Sequence, residues 1–417
     1  MTTPALRIVL LVLFCLTLGF TFSSPGQADD WLQFRGSDST GIGTVEDLPD
    51  TFDGKSGENV AWRIDLPGTG PSCPIVVGDQ VVITAAEGTP TKQERLHVIA
   101  YDKTSGEERW HRQFWATGHG VIHSFGGVAA NTPTSDGESI VAHFSSNDLY
   151  CFDLEGNLRW MRGLAHDFPS MRNDVGMSSS PVIVGDLVIV QCENQGESFI
   201  AGIELADGTT RWSVPRDHSA IWSSLTVMNG LPGDDPLVLA VGRDGLTAFE
   251  PGTGRKVWFY ETGCNTIASP TTCGRDIYLP ANGIHHLLYT PDAPEGEKVE
   301  VLWGESRLRG GNPSPVATEE SVYVLNSSSV FIRADAESGR TVWQARLKGG
   351  QMYPTPVISG GKAFIATYDG IVQVVDLESG DILGESQIER KALATPAIDE
   401  SAIYYRTNES LWKIQTP

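Results

Sequence analysis

The chain has 417 residues, 52 of them acidic and 30 basic, for a formal charge of −22. That balance argues against nucleic acid or an anionic membrane surface as the main partner, since both would repel it. The six cysteines include no CxxC pair, so a disulfide framework does not define the fold.

At the N-terminus, Arg7 precedes an apolar run from Ile8 to Leu16, followed by Gly19, Ser23, Ser24, Pro25 and Gly26-Gln27-Ala28. This is the order of a secretory signal, so residues 1–28 are expected to leave after Ala28, with the mature chain exported to the periplasm or the extracellular space. The run is short for a stable membrane span. Cys15 follows Phe14, where a lipobox wants a small residue, so the mature chain is expected to be untethered and monomeric. Cys73, Cys151, Cys192, Cys264 and Cys273 remain; an odd number allows two disulfides at most, and most read as small buried hydrophobes. Residues 29–58 are rich in Gly, Ser, Asp and Pro without sustained alternation, which predicts an irregular arm.

From residue 59 onward one phrase recurs. Its clearest copies are Ser179-Ser180-Pro181-Val182-Ile183-Val184-Gly185-Asp186-Leu187-Val188-Ile189-Val190 and the stretch from Thr355-Pro356 to Ala366. Each is two short apolar runs joined by a Gly-containing turn, a β-hairpin signal. Looser copies begin at Pro74, Pro133, Ser224, Pro270, Pro315 and Pro396, which makes eight hairpins. Most are followed by a third strand ending in an acidic residue, a turn, and a fourth strand carrying tryptophan. Asp102-Lys103-Thr104-Ser105-Gly106 leads to Trp110, Asp153 to Trp160, Glu204 to Trp212, Glu250 to Trp258 and Asp335 to Trp343. Trp303 follows an irregular insertion, Pro291 to Glu300, and Leu383-Gly384 stands where a seventh tryptophan is expected. Four strands per unit, at tryptophan spacings from 52 (Trp160 to Trp212) down to 40 (Trp303 to Trp343), predict an all-β, eight-bladed β-propeller over 59–417.

The eighth unit runs out of chain after Ser410-Leu411-Trp412-Lys413-Ile414, three strands in. The strand Asn59-Val60-Ala61-Trp62-Arg63-Ile64 is therefore expected to complete it and close the ring. Trp62, Trp110, Trp160, Trp212, Trp258, Trp303 and Trp343 are expected to dock between neighbouring blades. The repeated aspartates read as turn caps rather than general acids. Deleting the arm up to Asp53 is expected to leave a folded ring.

On these Asp-x-x-Ser/Thr-Gly-x-x-x-Trp and Ser-Pro-Val copies the chain resembles the pyrroloquinoline-quinone-like repeat propellers. That family includes quinoprotein alcohol dehydrogenases, the propeller lipoprotein of the outer-membrane β-barrel assembly machinery, and many exported bacterial propellers of undefined activity. Trp31-Leu32-Gln33-Phe34-Arg35-Gly36 and Arg172-Asn173-Asp174-Val175-Gly176-Met177-Ser178 look most like the last group. The resemblance implies, for the dehydrogenases, a quinone in the axial funnel under adjacent cysteines, with calcium and a catalytic aspartate beside it. This chain has no adjacent cysteine pair, so no catalytic residue and no cofactor is assigned, and pyrroloquinoline quinone with calcium stands as the alternative. The assembly lipoprotein implies a scaffold.

The segments entering the hairpins line one mouth of the axial channel in such a ring. They hold His119 and His123, Arg172 and Asp174, Trp222, Arg309 with Asn312, Tyr353 and Arg390, and cations converging there would suit an anionic or polyhydroxylated ligand. His119 and His123 lack a third ligand at recognisable spacing, so no metal is assigned. Ser178-Ser179-Ser180 has no G-x-S-x-G setting. These features predict an exported propeller that binds or scaffolds a protein segment or a cell-envelope polysaccharide without catalysis. The alternative is a quinone- or metal-dependent oxidoreductase.

Overall fold

The computed structural model of the protein describes residues 30–89, 91–121 and 126–417. The signal expected at 1–28 and His123 lie outside the described residues. Among the described residues eight four-stranded antiparallel sheets form the blades of a ring, with a single four-residue helix at Leu164–Asp167. Each blade is laid down in chain order from the axis outward. Blade one uses Ile75–Val77, Gln80–Thr89, Lys92–Asp102 and Glu108–Trp115. The inner three strands are buried almost throughout, whereas outer strands alternate, as in Glu108–Trp115 and Leu158–Gly163. That contrast follows from position, since an outer strand has solvent on its free edge.

Blade eight is built from both chain ends. Ala397–Ile398, Ile403–Arg406 and Ser410–Ile414 receive Val60–Asp65 as the outer strand, with Ile64 opposite Leu411 and Asp65 opposite Ser410. Pairing first and last segments leaves no blade with a missing strand, as the strand count required.

The tryptophans occupy one geometry. In every blade the register of the outer strand slips by one residue beside the tryptophan position, as between Ala100 and Tyr101 opposite Trp110. Such a bulge re-aims the side chain, here sideways onto the next blade. The indole N–H then donates to a carbonyl in that blade's turn: Trp110 to Leu154 (2.9 Å), Trp160 to Leu205 (2.8 Å), Trp212 to Pro251 (2.8 Å), Trp303 to Ala336 (3.0 Å), Trp343 to Leu377 (3.2 Å), and Trp62 across the closure to Lys103 (3.2 Å). The turn glycine lies flat against the ring. Gly156 has φ +75°, and a Cβ there would collide with Trp110, so glycine is required on both counts. Trp258 is the exception, its N–H buried without a partner. The blade it faces carries the insertion after Tyr289 in place of the standard turn.

The arm is irregular, but it is packed. Trp31 exchanges two backbone hydrogen bonds with Val76 of blade one, and Ile42 bridges Ile358 of blade seven. Between these anchors Asn229 of blade four donates to Asp38. Val76 and Ile358 lie one residue before the ends of their innermost strands, and Asn229 directly follows its own, so the arm crosses the face opposite the mouth. It continues past Ser359 and Lys362, which donate to Val45 and Leu48, and lays Phe52 against Tyr405 and Trp412. Trp31, Leu48 and Phe52 are buried. Apolar side chains of the irregular arm thus form part of the core of the ring.

Candidate functional site

The eight segments that enter the innermost strands meet at the axis through a closed belt of hydrogen bonds. Each contributes a serine, threonine or cysteine whose backbone N–H donates to the side chain of the equivalent residue in the next blade. Cys73 donates to Thr132 (3.0 Å), Thr132 to Ser180 (3.0 Å), Ser180 to Ser224 (3.0 Å), Ser224 to Ser269 (2.9 Å), Ser269 to Ser314 (3.0 Å), Ser314 to Thr355 (3.1 Å) and Thr355 to Thr395 (2.9 Å). Thr395 closes the circle on the Cys73 sulfur at 3.1 Å. Seven of the eight precede proline, Ser224 being followed by Leu225. Proline holds the residue before it extended and brings no N–H of its own to the crowded axis. The Ser-Pro phrase legible in the repeats is thus the belt, seen one link at a time.

Because seven positions work with a hydroxyl, Cys73→Ser is expected to change stability by less than about 1 kcal/mol. Cys73→Val leaves the Thr395 N–H buried without an acceptor and is expected to cost about 1–3 kcal/mol. Urea melts of the two variants check this; equal losses would show that the sulfur contact carries nothing.

Above the belt lies a cavity of about 460 Å³. All eight belt residues line it, Trp222, Asn312, Tyr353, Ile267 and Leu393 stand in its walls, and Phe34 of the arm lies at its base. Phe34 reaches the axis from the opposite face, so the channel is a blind cup rather than a tube. Beside Phe34, the Arg35 guanidinium (0 % exposed) runs between blades four and five, donating to Thr226 (3.1 Å), the Pro270 carbonyl (2.7 Å) and Thr271. At the opposite seam, between blades eight and one, Arg406 (1 % exposed) donates to the Ser72 carbonyl (2.7 Å), the Ser72 hydroxyl and the Thr84 carbonyl (2.6 Å). Burial lowers Arg35 to about 9 and Arg406 to about 10, below the usual guanidinium range.

Of the residues singled out from the sequence, Trp222, Asn312 and Tyr353 come together in the cup. The Trp222 indole N–H donates to Gly176 (3.1 Å), fixing the ring in the wall. The three arginines are absent from the described lining. Arg172 turns to Asp174 at 3.3 Å, Arg390 to Asp369 at 2.8 Å, and Arg309 lines a separate cavity of about 280 Å³ with Cys264 and Asn265. Long exposed side chains take the nearest carboxylate, a local choice that loop position does not reveal. His119 is exposed. The residues that sequence reasoning passed over are Phe34, Arg35, Arg406 and the belt itself.

Among the described residues no group of three or more His, Cys, Asp or Glu side chains could hold a metal ion, and no helix is long and apolar enough to cross a membrane. The five described cysteines are free. A quinone held through calcium requires anionic oxygen ligands beside it. The described lining of the cup holds no carboxylate, its hydroxyls already accept N–H bonds, and two buried guanidiniums stand behind its walls. These residues do not fit a quinone–calcium pair.

The model of the family described as outer membrane protein assembly factor BamB matches residues 50–260 and 288–409. BamB of Alkalilimnicola ehrlichii is 24% identical over 234 residues, covering 55% of this chain and 48% of that protein, so the match spans about half the length of that relative. Among solved structures, BamB from Moraxella catarrhalis superposes with a TM-score of 0.64 at 18% identity, over 85% of this chain and 97% of that one. A europium-containing methanol dehydrogenase gives 0.64 at 12% identity, over 91% and 90%. These structural likenesses show the eight-bladed fold.

Proposed function

The chain belongs to the BamB family of outer membrane assembly factors, and from that premise we propose that it is a non-catalytic propeller of the cell envelope whose axial cup binds a segment of a partner protein. The observation that carries this reading is the cup: one open end, an aromatic at the base, and walls that pair large apolar side chains with the belt's hydroxyls. A volume of about 460 Å³ suits one or two side chains presented by a segment rather than a folded domain. Trp222 and Tyr353 are of the residue types that anchor protein interfaces, and they flank the opening. A polysaccharide is less well served, because the walls offer few planar polar groups to its hydroxyls. Residues 1–28 export the chain to the periplasm or beyond, residues 59–417 form the ring, and Trp222, Asn312 and Tyr353 are the contact residues.

Site-specific photo-crosslinking in intact cells tests the reading. A photoreactive residue at position 267, in the cup wall, is expected to give a discrete protein adduct that the same residue at position 105, in a turn on the opposite face, does not. Adducts of equal yield from both positions, or none from 267, would remove the cup as the docking site.

A further inference from the structure

We propose that the cup selects a carboxylate at the tip of an apolar group, a step that rests on the cup being the binding site. The argument begins with the belt. Each belt hydroxyl uses its oxygen to accept a neighbour's N–H; Thr132 and Thr395 also hydrogen-bond the Cys73 sulfur, and among the described residues the other five pass their own protons to no protein acceptor. Ser180, Ser224, Ser269, Ser314 and Thr355 thus line one cavity as five O–H donors with their acceptor capacity partly used and their protons unspent. Buried donors without acceptors are uncommon in native proteins and mark places where a ligand or ordered water completes the bonding. An oxygen acceptor on the axis meets that need; a donor such as an ammonium group does not.

Charge narrows the acceptor to an anion. The chain carries a formal −22, yet no carboxylate is in the described lining of the cup. Two buried cations, Arg35 and Arg406, bond residues close to the belt in sequence, on seams half a ring apart. Arg406 binds Ser72, the neighbour of belt residue Cys73, and Arg35 binds Thr226 and Thr271, each two positions beyond belt residues Ser224 and Ser269. Both guanidiniums are fully buried, neither has an ion pair among the described residues, and in each the Nε finds no acceptor. A buried cation without a counter-charge is costly, and its field in a low-dielectric cavity is weakly screened. A carboxylate seated on the belt accepts several hydroxyl bonds and offsets both cations. Ile267, Leu393, Trp222 and Phe34 then cover an apolar body behind it. The carboxylate could belong to a free aliphatic acid or to an acidic chain end of a protein segment, and the two are separated by probe.

The experiment uses the mature full chain and isothermal titration with matched pairs: hexanoate against hexanamide, and a six-residue peptide ending in leucine with a free carboxylate against its amidated form. The acid of at least one pair is expected to bind at least about tenfold more tightly than its amide. Preference in the hexanoate pair alone identifies a free acid, and preference in the peptide pair identifies a chain end. Ile267→Asp places a carboxylate in a wall position that is already 40 % exposed, so the fold should survive. It is expected to weaken the acid by about tenfold or more while leaving the amide within about threefold. Acid and amide binding alike in both pairs, no binding of any probe, or an Ile267→Asp variant that keeps the acid preference would each overturn the proposal. The cup as a docking site would still stand if the crosslink from position 267 persists. Acid-selective binding without that crosslink would instead remove the protein-docking reading and leave the carboxylate site intact.

Discussion

A mature chain that begins at Gly54 is expected to lose on the order of 5 kcal/mol of stability relative to one that begins at Asp30, although it retains the closing strand Val60–Asp65. The loss comes from three buried side chains, Trp31, Leu48 and Phe52, each of which contributes about 1.5–3 kcal/mol when fully covered, less the ordering entropy that the truncated chain no longer spends. Their removal also bares the groups they cover, among them Tyr405 and Trp412 beneath Phe52. Function should change in parallel, because without Phe34 the cup becomes an open tube. Equilibrium urea denaturation of the two chains, followed by intrinsic fluorescence, measures the difference. A change under about 1 kcal/mol would mean that the arm rests on the ring without anchoring it. Deletion through Ile64 should be worse in kind, since blade eight then lacks its outer strand and exposes an unpaired edge.

How much of this was legible in the sequence depends on whether a contact repeats. The belt, the bulge and the indole in the next blade's turn occur once per blade, so self-similarity exposes their residues even where their geometry stays hidden. The missing tryptophan at Leu383-Gly384 was legible as a gap but not as a reason. Its blade faces blade eight, whose outer strand Val60–Asp65 comes from the other end of the described chain, so no third-to-fourth-strand turn is there for an indole to meet. The arm passes there instead, and a Cβ on Gly384 would strike the Asp50 carbonyl. The arm itself has no period, because Trp31, Arg35 and Ile42 each meet a different blade and each contact is made once. For the same reason the arginines of the mouth were placed by loop and not by direction: Arg390 lies 21 residues from its partner Asp369, on a neighbouring link that only the folded ring brings close.

Replacing Trp110 by alanine is expected to destabilise the protein by about 3–5 kcal/mol, the range for deleting a large buried aromatic whose site cannot collapse. Collapse is prevented on both sides. Phe114, Tyr150 and Phe152 are held by their own strands and ring contacts, and Gly156 has no side chain with which to fill the space. Phenylalanine at the same position separates packing from hydrogen bonding. Trp110→Phe keeps most of the ring but strips a donor from Gln80 and one of two from the Leu154 carbonyl, which still accepts from Gln80 Nε2, a loss of about 0.5–1.5 kcal/mol. Trp258 supplies the control that the fold provides on its own, because its N–H has no acceptor to lose. Trp258→Phe removes an unsatisfied donor along with part of a ring, so it should cost less than Trp110→Phe. Denaturant melts of the three variants decide the matter. Equal losses for the two phenylalanine variants would show that the indole–carbonyl bond adds nothing to blade docking, and the repeated tryptophan would then be explained by its area alone.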